Sequence, residues 1–317
     1  MTTRAAAPVP DVSIIIPCYN AERWVAATIE SALRQTWPDK EIIVINDGSK
    51  DRSLAVARQF EAQGVRVIDQ VNAGASAARN AGLHAARGTY VQFLDADDLL
   101  APDKIEQQMR LLAPLGPRVL SSSQWAHFRD APAEAVFTEQ ANYRNLTGVE
   151  FLQLHWEEGC MMQPGAWLAP RSLLDAAGQW NESLSLNDDG EYFARVMLAA
   201  ERIAFCRAAR TYYRAHGGNR LSARRDRRSL ESLFRSVELT TARLLATDAS
   251  ARTRAAVAYA WKWTAFELYP GAPDLAGRAE ATSRQHGGSA RPFPAGGRFR
   301  FAARLFGWRL AKRLCCA

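Results

Sequence analysis

Between residues 12 and 94 the chain alternates continuous apolar runs with stretches whose apolar residues recur every three or four positions. Residues 12–17 (VSIIIP), 41–47 (EIIVIND), 65–69 and 89–94 are hydrophobic without strict alternation, which predicts parallel strands buried on both faces. Residues 21–35, 52–63 and 75–86 carry helical spacing instead. Strand, helix and strand repeated in this way predict a doubly wound α/β sheet whose ligand sits at the carboxyl ends of the strands. Every polar motif of this half falls at such an end.

From 118 to 213, short strands (119–123, 165–169 and 203–206) mix with helices, notably 190–201, and extend the same domain. Beyond Asp226 the pattern turns helical: Leu230, Phe234, Val237, Thr241 and Leu244 recur at three and four residues, and a second, aromatic-rich helix follows over 251–269. These observations divide the chain into a domain over 1–225 and a helical region over 226–317. Gly, Pro, Ser and Ala mark 270–297 as a linker or mobile loop. The last twenty residues hold Arg298, Arg300, Arg304, Arg309, Lys312 and Arg313, no acid, and interleaved Phe299, Phe301, Leu305, Phe306 and Trp308. This tail predicts either peripheral contact with the inner membrane surface or a basic segment packed on its own domain. On one continuous helical wheel, at about 100° per residue, Lys312 falls between Phe301 and Leu305 and interrupts the apolar face.

Composition narrows the partners. The 317 residues suffice for a large core, and a net charge of +7 with a pI near 9.4 favours acidic partners: nucleotides, nucleic acid or anionic lipid. Five cysteines, odd in number and without a CxxC pair, suggest neither a zinc site nor a disulfide framework, and a reducing cytoplasm fits best. No apolar leader and no run of ~18 apolar residues is evident, so membrane contact is expected from the surface.

The chemistry concentrates at the predicted strand ends. The strand at 89–94 stops at Asp95, Asp97 and Asp98, whose like charges call for a cation or a basic neighbour. Oxygen ligands so few suit Mg²⁺ or Mn²⁺, although an acidic turn capping the helix near Pro102 explains the same residues. After the first strand comes PCYNAE, without the glycines of a dinucleotide-binding turn; Tyr19 offers a ring to a base and Asn20 an amide, or the pair simply caps a helix. The second strand ends in NDGSKD, where Asp47 can accept from a base or ribose and Gly48 permits a sharp turn. NAGASAARNAGL then opens a small-residue helix carrying Arg79, a cation able to offset the acids or hold a phosphate.

In this order and spacing the four motifs, with GTYVQFLDADD as the last, resemble the donor half of glycosyltransferase family 2, which has the GT-A fold. The resemblance implies a Rossmann-like mixed α/β sheet flanked by helices, with a donor half near 11–118, an acceptor half near 119–225 and a helical C-terminal extension. It also implies that Pro17, Tyr19, Asn20 and Asp47 line the nucleobase and ribose pocket with Arg79 nearby, that Asp95 turns toward the ribose, and that Asp97 holds the metal bridging the diphosphate. The second half extends the likeness. GQWNESL resembles the family's approach to its acceptor loop, and NDDGEYFAR resembles its Glu-Asp motif, with Asp188 where Glu is usual and Asp189 as the general base. Without the preceding motifs the two acids would merely suit a helix amino end. YYRAHGGNRLS resembles a late loop that closes over the diphosphate, making Arg214 and His216 candidates for phosphate or metal. Acceptor choice is expected to involve 156–167, where Met161, Met162 and Gln163 line a cleft or fill a core.

The implied reaction is an inverting, Mg²⁺- or Mn²⁺-dependent sugar transfer from a nucleotide sugar, usually a UDP-sugar, to a hydroxyl of a glycan or lipid-linked acceptor, with no nucleic-acid partner. The setting is the cytoplasm or the cytoplasmic membrane face. Two other classes stay open. A nucleotidyltransferase would show a Gly-rich basic loop where this chain has Cys18-Tyr19-Asn20. A non-catalytic scaffold would have lost an acid, and none is lost.

Overall fold

The structure is a computed structural model that describes residues 11–215, 225–293 and 295–315. Five strands form the main sheet in the order β3-β2-β1-β4-β7: β1 is Val12–Cys18, β2 Lys40–Asp47, β3 Val65–Gln70, β4 Tyr90–Phe93 and β7 Ala169–Pro170. The first four are parallel, with Ile14 opposite Ile42 on one side and Gln92 on the other, while β7 runs antiparallel to β4. The apolar runs produce this arrangement because both faces are covered: Ile14, Ile15, Ile16, Ile43, Val44 and Ile45 are all fully buried. Helices α1 (Val25–Leu33), α2 (Ser53–Arg58) and α3 (Ala75–Ala85) connect the strands. Small residues let α3 lie close to the sheet; a Cβ on Gly82 would sit 2.2 Å from Ile15 Cγ2.

A second sheet departs from the doubly wound expectation. Its order is β5-β8-β6, with β5 at Leu99–Leu100, β6 at Val119–Phe128 and β8 at Arg202–Arg214; β6 is parallel and β5 antiparallel to β8. Helix α4 (Lys104–Leu112) covers it. The strand expected at 165–169 is mostly a turn: Pro164 lacks a donor for the ladder, and the Gln163 side chain accepts the Gly165 amide at 2.6 Å to close a 3-10 turn over Pro164–Ala166. Helix α6 (Arg171–Ala177) follows β7.

The chain clusters into two compact units. The first holds the described residues up to Gly148, Met161–Glu182 and the described part of Arg195–Gly218, and so contains both sheets. The second gathers Val149–Cys160, Ser183–Ala194 and the described residues from 225 onward. It includes most of α5 (Gly148–Glu158), the start of α7 (Asp188–Ala199), and the helices α8 (Arg227–Thr247), α9 (Ala251–Leu268), α10 (Pro273–Gln285), α11 (Gly297–Phe306) and α12 (Trp308–Cys315). Asp226 and Ser250 cap α8 and α9 by accepting the amides of Ser229 and Thr253. The two helices meet through Phe234 and Trp261, whose ring centroids lie 5.0 Å apart. Much of the linker expected at 270–297 is instead the helix α10: Pro273 starts it, and buried Ala276 and Ala279 allow close packing in contact with α9. Small buried residues carry little hydrophobic signal, which is why composition alone suggests a loop there.

Candidate active site

In the first unit the loops after β1 and β2 are laced together. Ser49 Oγ accepts the Asn20 amide at 3.1 Å, Asn20 Oδ1 accepts the Lys50 amide at 2.7 Å, and Ser53 Oγ accepts the Ala21 amide at 2.7 Å. Asn20 takes a left-handed backbone (φ 49), a conformation Asn tolerates better than most residues. Tyr19 stands 47% exposed on this rim, while Pro17 lies within β1. Burial pushes the neighbouring Cys18 thiol up to about 12, so it is no ready nucleophile.

Asp47, buried at the end of β2, is fully engaged. One carboxylate oxygen accepts from Gln70 Nε2 (2.7 Å) and the Ala73 amide (2.9 Å), the other from Asn72 Nδ2 (3.0 Å) and the Gly74 amide (2.9 Å). Four donors saturate a carboxylate, so here Asp47 organises the loop that leads into α3. Gly48 is needed beside it: φ is +65, and a Cβ would meet the Asn72 amide nitrogen at 2.7 Å.

The acidic turn after β4 is braced by two arginines. Arg79 reaches from α3 to donate to Asp95 Oδ1 at 2.9 Å, with its guanidinium 4.5 Å above the buried Trp180 ring. Asn80, its neighbour, fixes the Trp180 segment by accepting the Trp180 amide (2.8 Å) and donating to its carbonyl (3.0 Å). The Asp98 amide closes the turn on the Asp95 carbonyl at 3.0 Å. From β8, the Arg214 amide donates to Asp98 Oδ1 and its Nε to the Asp97 carbonyl, both at 2.8 Å. The Arg214 guanidinium lies 4.4 and 4.3 Å from the rings of Trp24 and Phe128, and burial lowers its pKa from the ordinary value. Arg214 thus ties the acidic turn to β8. His216 lies outside the described residues.

Asp98 is wholly buried, and burial followed by the charges of Asp97 and Asp95 pushes its carboxyl well above the usual range. Its Oδ2 has no hydrogen-bond partner among the described residues. That unpartnered oxygen is on the buried Asp98, whereas Asp95 and Asp97 are half-buried carboxylates, oxygen donors of the class a hard divalent cation takes. Among the described residues no group of three or more His, Cys, Asp or Glu is arranged to hold an ion unaided.

Sequence reasoning missed a buried polar network in the same unit. Lys104 and Gln108 of α4, Gln92 of β4 and Thr211 of β8 converge on the turn at 163–167. Lys104 donates to Gln92 Oε1 and to the Trp167 carbonyl (3.3 Å); Gln92 Nε2 (2.9 Å) and Thr211 Oγ1 (3.2 Å) donate to the Gly165 carbonyl; Gln108 Nε2 donates to the Ala166 carbonyl (3.2 Å). Burial lowers the Lys104 pKa well below its usual value. Gln163 is buried in this turn and Met161 is exposed. A lone Lys at the start of a helix reads as surface charge, and nothing in the sequence distinguishes it.

In the second unit Asp188 and Asp189 open α7. The segment before them is held by two hydroxyls of α8. Ser232 Oγ accepts the amides of Ser185 (2.8 Å) and Leu186 (3.0 Å) and donates to the Leu186 carbonyl (3.0 Å). Ser236 Oγ donates to the Asn187 carbonyl (2.7 Å) and accepts from its Nδ2 (2.8 Å). Asn187 is left-handed (φ 61), and Gly190 leaves room for its side chain: a Cβ there would lie 2.4 Å from Asn187 Oδ1. The helical region beyond 226, which the sequence leaves without a role, thereby fixes the approach to Asp189.

The chain is similar to known proteins. The chain resembles an uncharacterized glycosyltransferase, EpsJ, of Bacillus subtilis (50% identity over 95 residues, 29% of this chain and 28% of EpsJ) and the chondroitin synthase of Escherichia coli (42% over 100 residues, 31% of this chain and 15% of that protein). It thus spans well under half the length of these curated relatives. Among solved structures, TarS 1-349 of S. aureus superposes with a TM-score of 0.63 at 16% identity, covering 96% of this chain and 90% of that one. A mannosyltransferase of Pyrobaculum calidifontis, solved with GDP-Man and Mn²⁺, gives 0.59 at 18%, covering 99% and 87%. These likenesses show a GT-A type mixed α/β fold. The model of glycosyl transferase family 2 matches residues 13–170, and through that segment the chain belongs to this family.

Proposed function

We propose that the protein is an inverting, metal-dependent glycosyltransferase that moves a sugar from a nucleoside-diphosphate sugar, a UDP-sugar first among them, to a hydroxyl of a glycan or lipid-linked acceptor. The observation that carries this reading is the acidic turn Asp95–Asp98 at the end of β4, braced by Arg79 and Arg214, in a member of family 2. TarS has been solved with UDP-GlcNAc, which favours a nucleotide-sugar donor here too.

In this mechanism Pro17, Tyr19 and Asn20 line the pocket that receives the base, and Asp47 holds the adjoining loop. Asp95, oriented by Arg79, meets the ribose. Asp97, with His216 as a further candidate ligand, would hold Mg²⁺ or Mn²⁺, which when bound neutralises charge on the departing diphosphate. Asp189 accepts the proton of the acceptor hydroxyl as its oxygen bonds to the anomeric carbon. The bond from that carbon to the diphosphate oxygen breaks, the nucleoside diphosphate leaves with the electron pair, and the carbon inverts. The buried thiols of Cys18, Cys160 and Cys206 accord with a reducing, cytoplasmic setting.

Incubation with a panel of nucleotide sugars and an acceptor-sugar mixture should release nucleoside diphosphate from one donor. Asp189→Asn should cut that release by about 100-fold or more while leaving donor affinity intact. Asp97→Ala should instead abolish Mn²⁺-dependent UDP binding in calorimetry. Release unaffected by either change would refute the assigned roles.

A further inference from the structure

The described residues 297–315 form two helices. Gly307, at φ +76, breaks the run between α11 and α12, so the single wheel on which Lys312 interrupts an apolar face does not exist. Lys312 turns inward instead: its Nζ donates to the Phe266 carbonyl and lies 4.0 Å from the centroid of that ring. Phe299 and Ala311 are buried in the same cluster, and Trp308 packs against it while donating to Glu280 Oε1 at 2.8 Å. The inner faces of both helices are thus occupied by their own unit.

The outer faces repeat one pattern. At about 100° per residue, Phe301 and Leu305 occupy the centre of the exposed face of α11, with Arg298 and Arg304 beside them. Leu310 and Leu314 take the same place on α12, with Arg313 beside them. Phe301, Leu305, Phe306, Leu310 and Leu314 are 68, 60, 60, 46 and 65% exposed. They are five of the nine exposed large apolar side chains among the described residues, gathered within fourteen positions. Exposed apolar side chains gathered in this way mark interaction sites. Arg298, Arg304 and Arg313 form no ion pair among the described residues, although the Arg313 guanidinium also lies 5.3 Å from the Tyr269 ring, and no acid occurs from 298 to 317. No described helix is long and apolar enough to cross a membrane.

We propose that α11 and α12 form a docking face for an anionic lipid surface, with Phe301, Leu305, Leu310 and Leu314 entering the acyl boundary, Phe306 at its edge, and the arginines beside them meeting headgroup phosphates. Charge complementarity selects this occupant over a second copy of the chain, whose like face would oppose arginine to arginine. The inference stands apart from the sugar-transfer reading, since it uses none of the residues assigned to that reaction.

The test is co-sedimentation of the full chain with vesicles of phosphatidylcholine alone or mixed with phosphatidylglycerol. The protein should bind the mixed vesicles and be released by salt. The triple variant Arg298→Gln, Arg304→Gln, Arg313→Gln should bind roughly a hundredfold more weakly, and Phe301→Ser with Leu305→Ser and Leu314→Ser should lose binding at any salt. All should keep the circular dichroism and any nucleotide-sugar turnover of the parent in detergent-free buffer. Equal binding by the variants, no binding by the parent, or a dimer in sedimentation that only the apolar variant disrupts would overturn the proposal.

Discussion

Lys104 is wholly buried beside an amide and a carbonyl, with no acid in an ion pair among the described residues. A lysine whose pKa is depressed in the fold regains a proton on unfolding, so the unfolded chain binds more protons and stability rises with pH. The contribution is complete above the ordinary lysine value and fades as pH falls toward the depressed one. In urea titrations the protein should therefore gain up to about 1.4 kcal/mol per pH unit across that window. Lys104→Met should flatten the slope, whatever it does to stability at one pH. Identical slopes would mean that Lys104 stays charged in the fold. The acids at the proposed donor rim are more legible than this lysine because each ends an apolar run, where a charge has no packing reason to be. Asp47 is the instructive intermediate: its place was readable as a strand end, but its four donors come from residues 70–74, which no local pattern ties to it.

At the scale of elements, α8 and α3 each make a prediction. Ser236 of α8 bonds both the carbonyl and the side chain of Asn187, two residues before the proposed base. Ser236→Ala should lower kcat by about tenfold, since small misplacement of a reacting group is costly, while KM for the donor stays unchanged. A matched loss in kcat and donor affinity would point to general unfolding instead. Helix α3 packs through Gly82 directly onto Ile15 of β1. Gly82→Ala should cost about 1–3 kcal/mol in thermal or urea unfolding through overpacking, and Gly82→Val more. Strands β1 to β4 were legible because doubly buried strands leave unbroken apolar runs. By contrast β8 mixes Arg202, Arg207 and Arg210 with Ala208 and Ala209, and only a short core of it, near 203–206, stands out in sequence. Likewise α10 hides behind Gly277 and Ser283, and α11 and α12 are separable only once Gly307 is seen to be left-handed.

For the molecule as a whole, the net charge of +7 and the family segment at 13–170 describe different parts of the problem. The family segment covers the part of the first unit proposed to take the nucleotide sugar, and the charge gathers toward the tail, where arginines outnumber acids. The division into units was the least legible feature, because chain order and spatial order part company in the second half. Residues 183–194 lie in sequence among pieces of the first unit yet cluster with the helices after 225, through Ser232 and Ser236. Residues 149–160 do the same through Gln153, which donates to Thr253 Oγ1 at 2.8 Å. A chimera that exchanged everything after 225 for a relative's sequence would strand Leu186 and Asn187 without the hydroxyls that seat them. Recombination within this lineage should accordingly move the two segments together, and substitutions at 187 and 236 should be inherited in pairs.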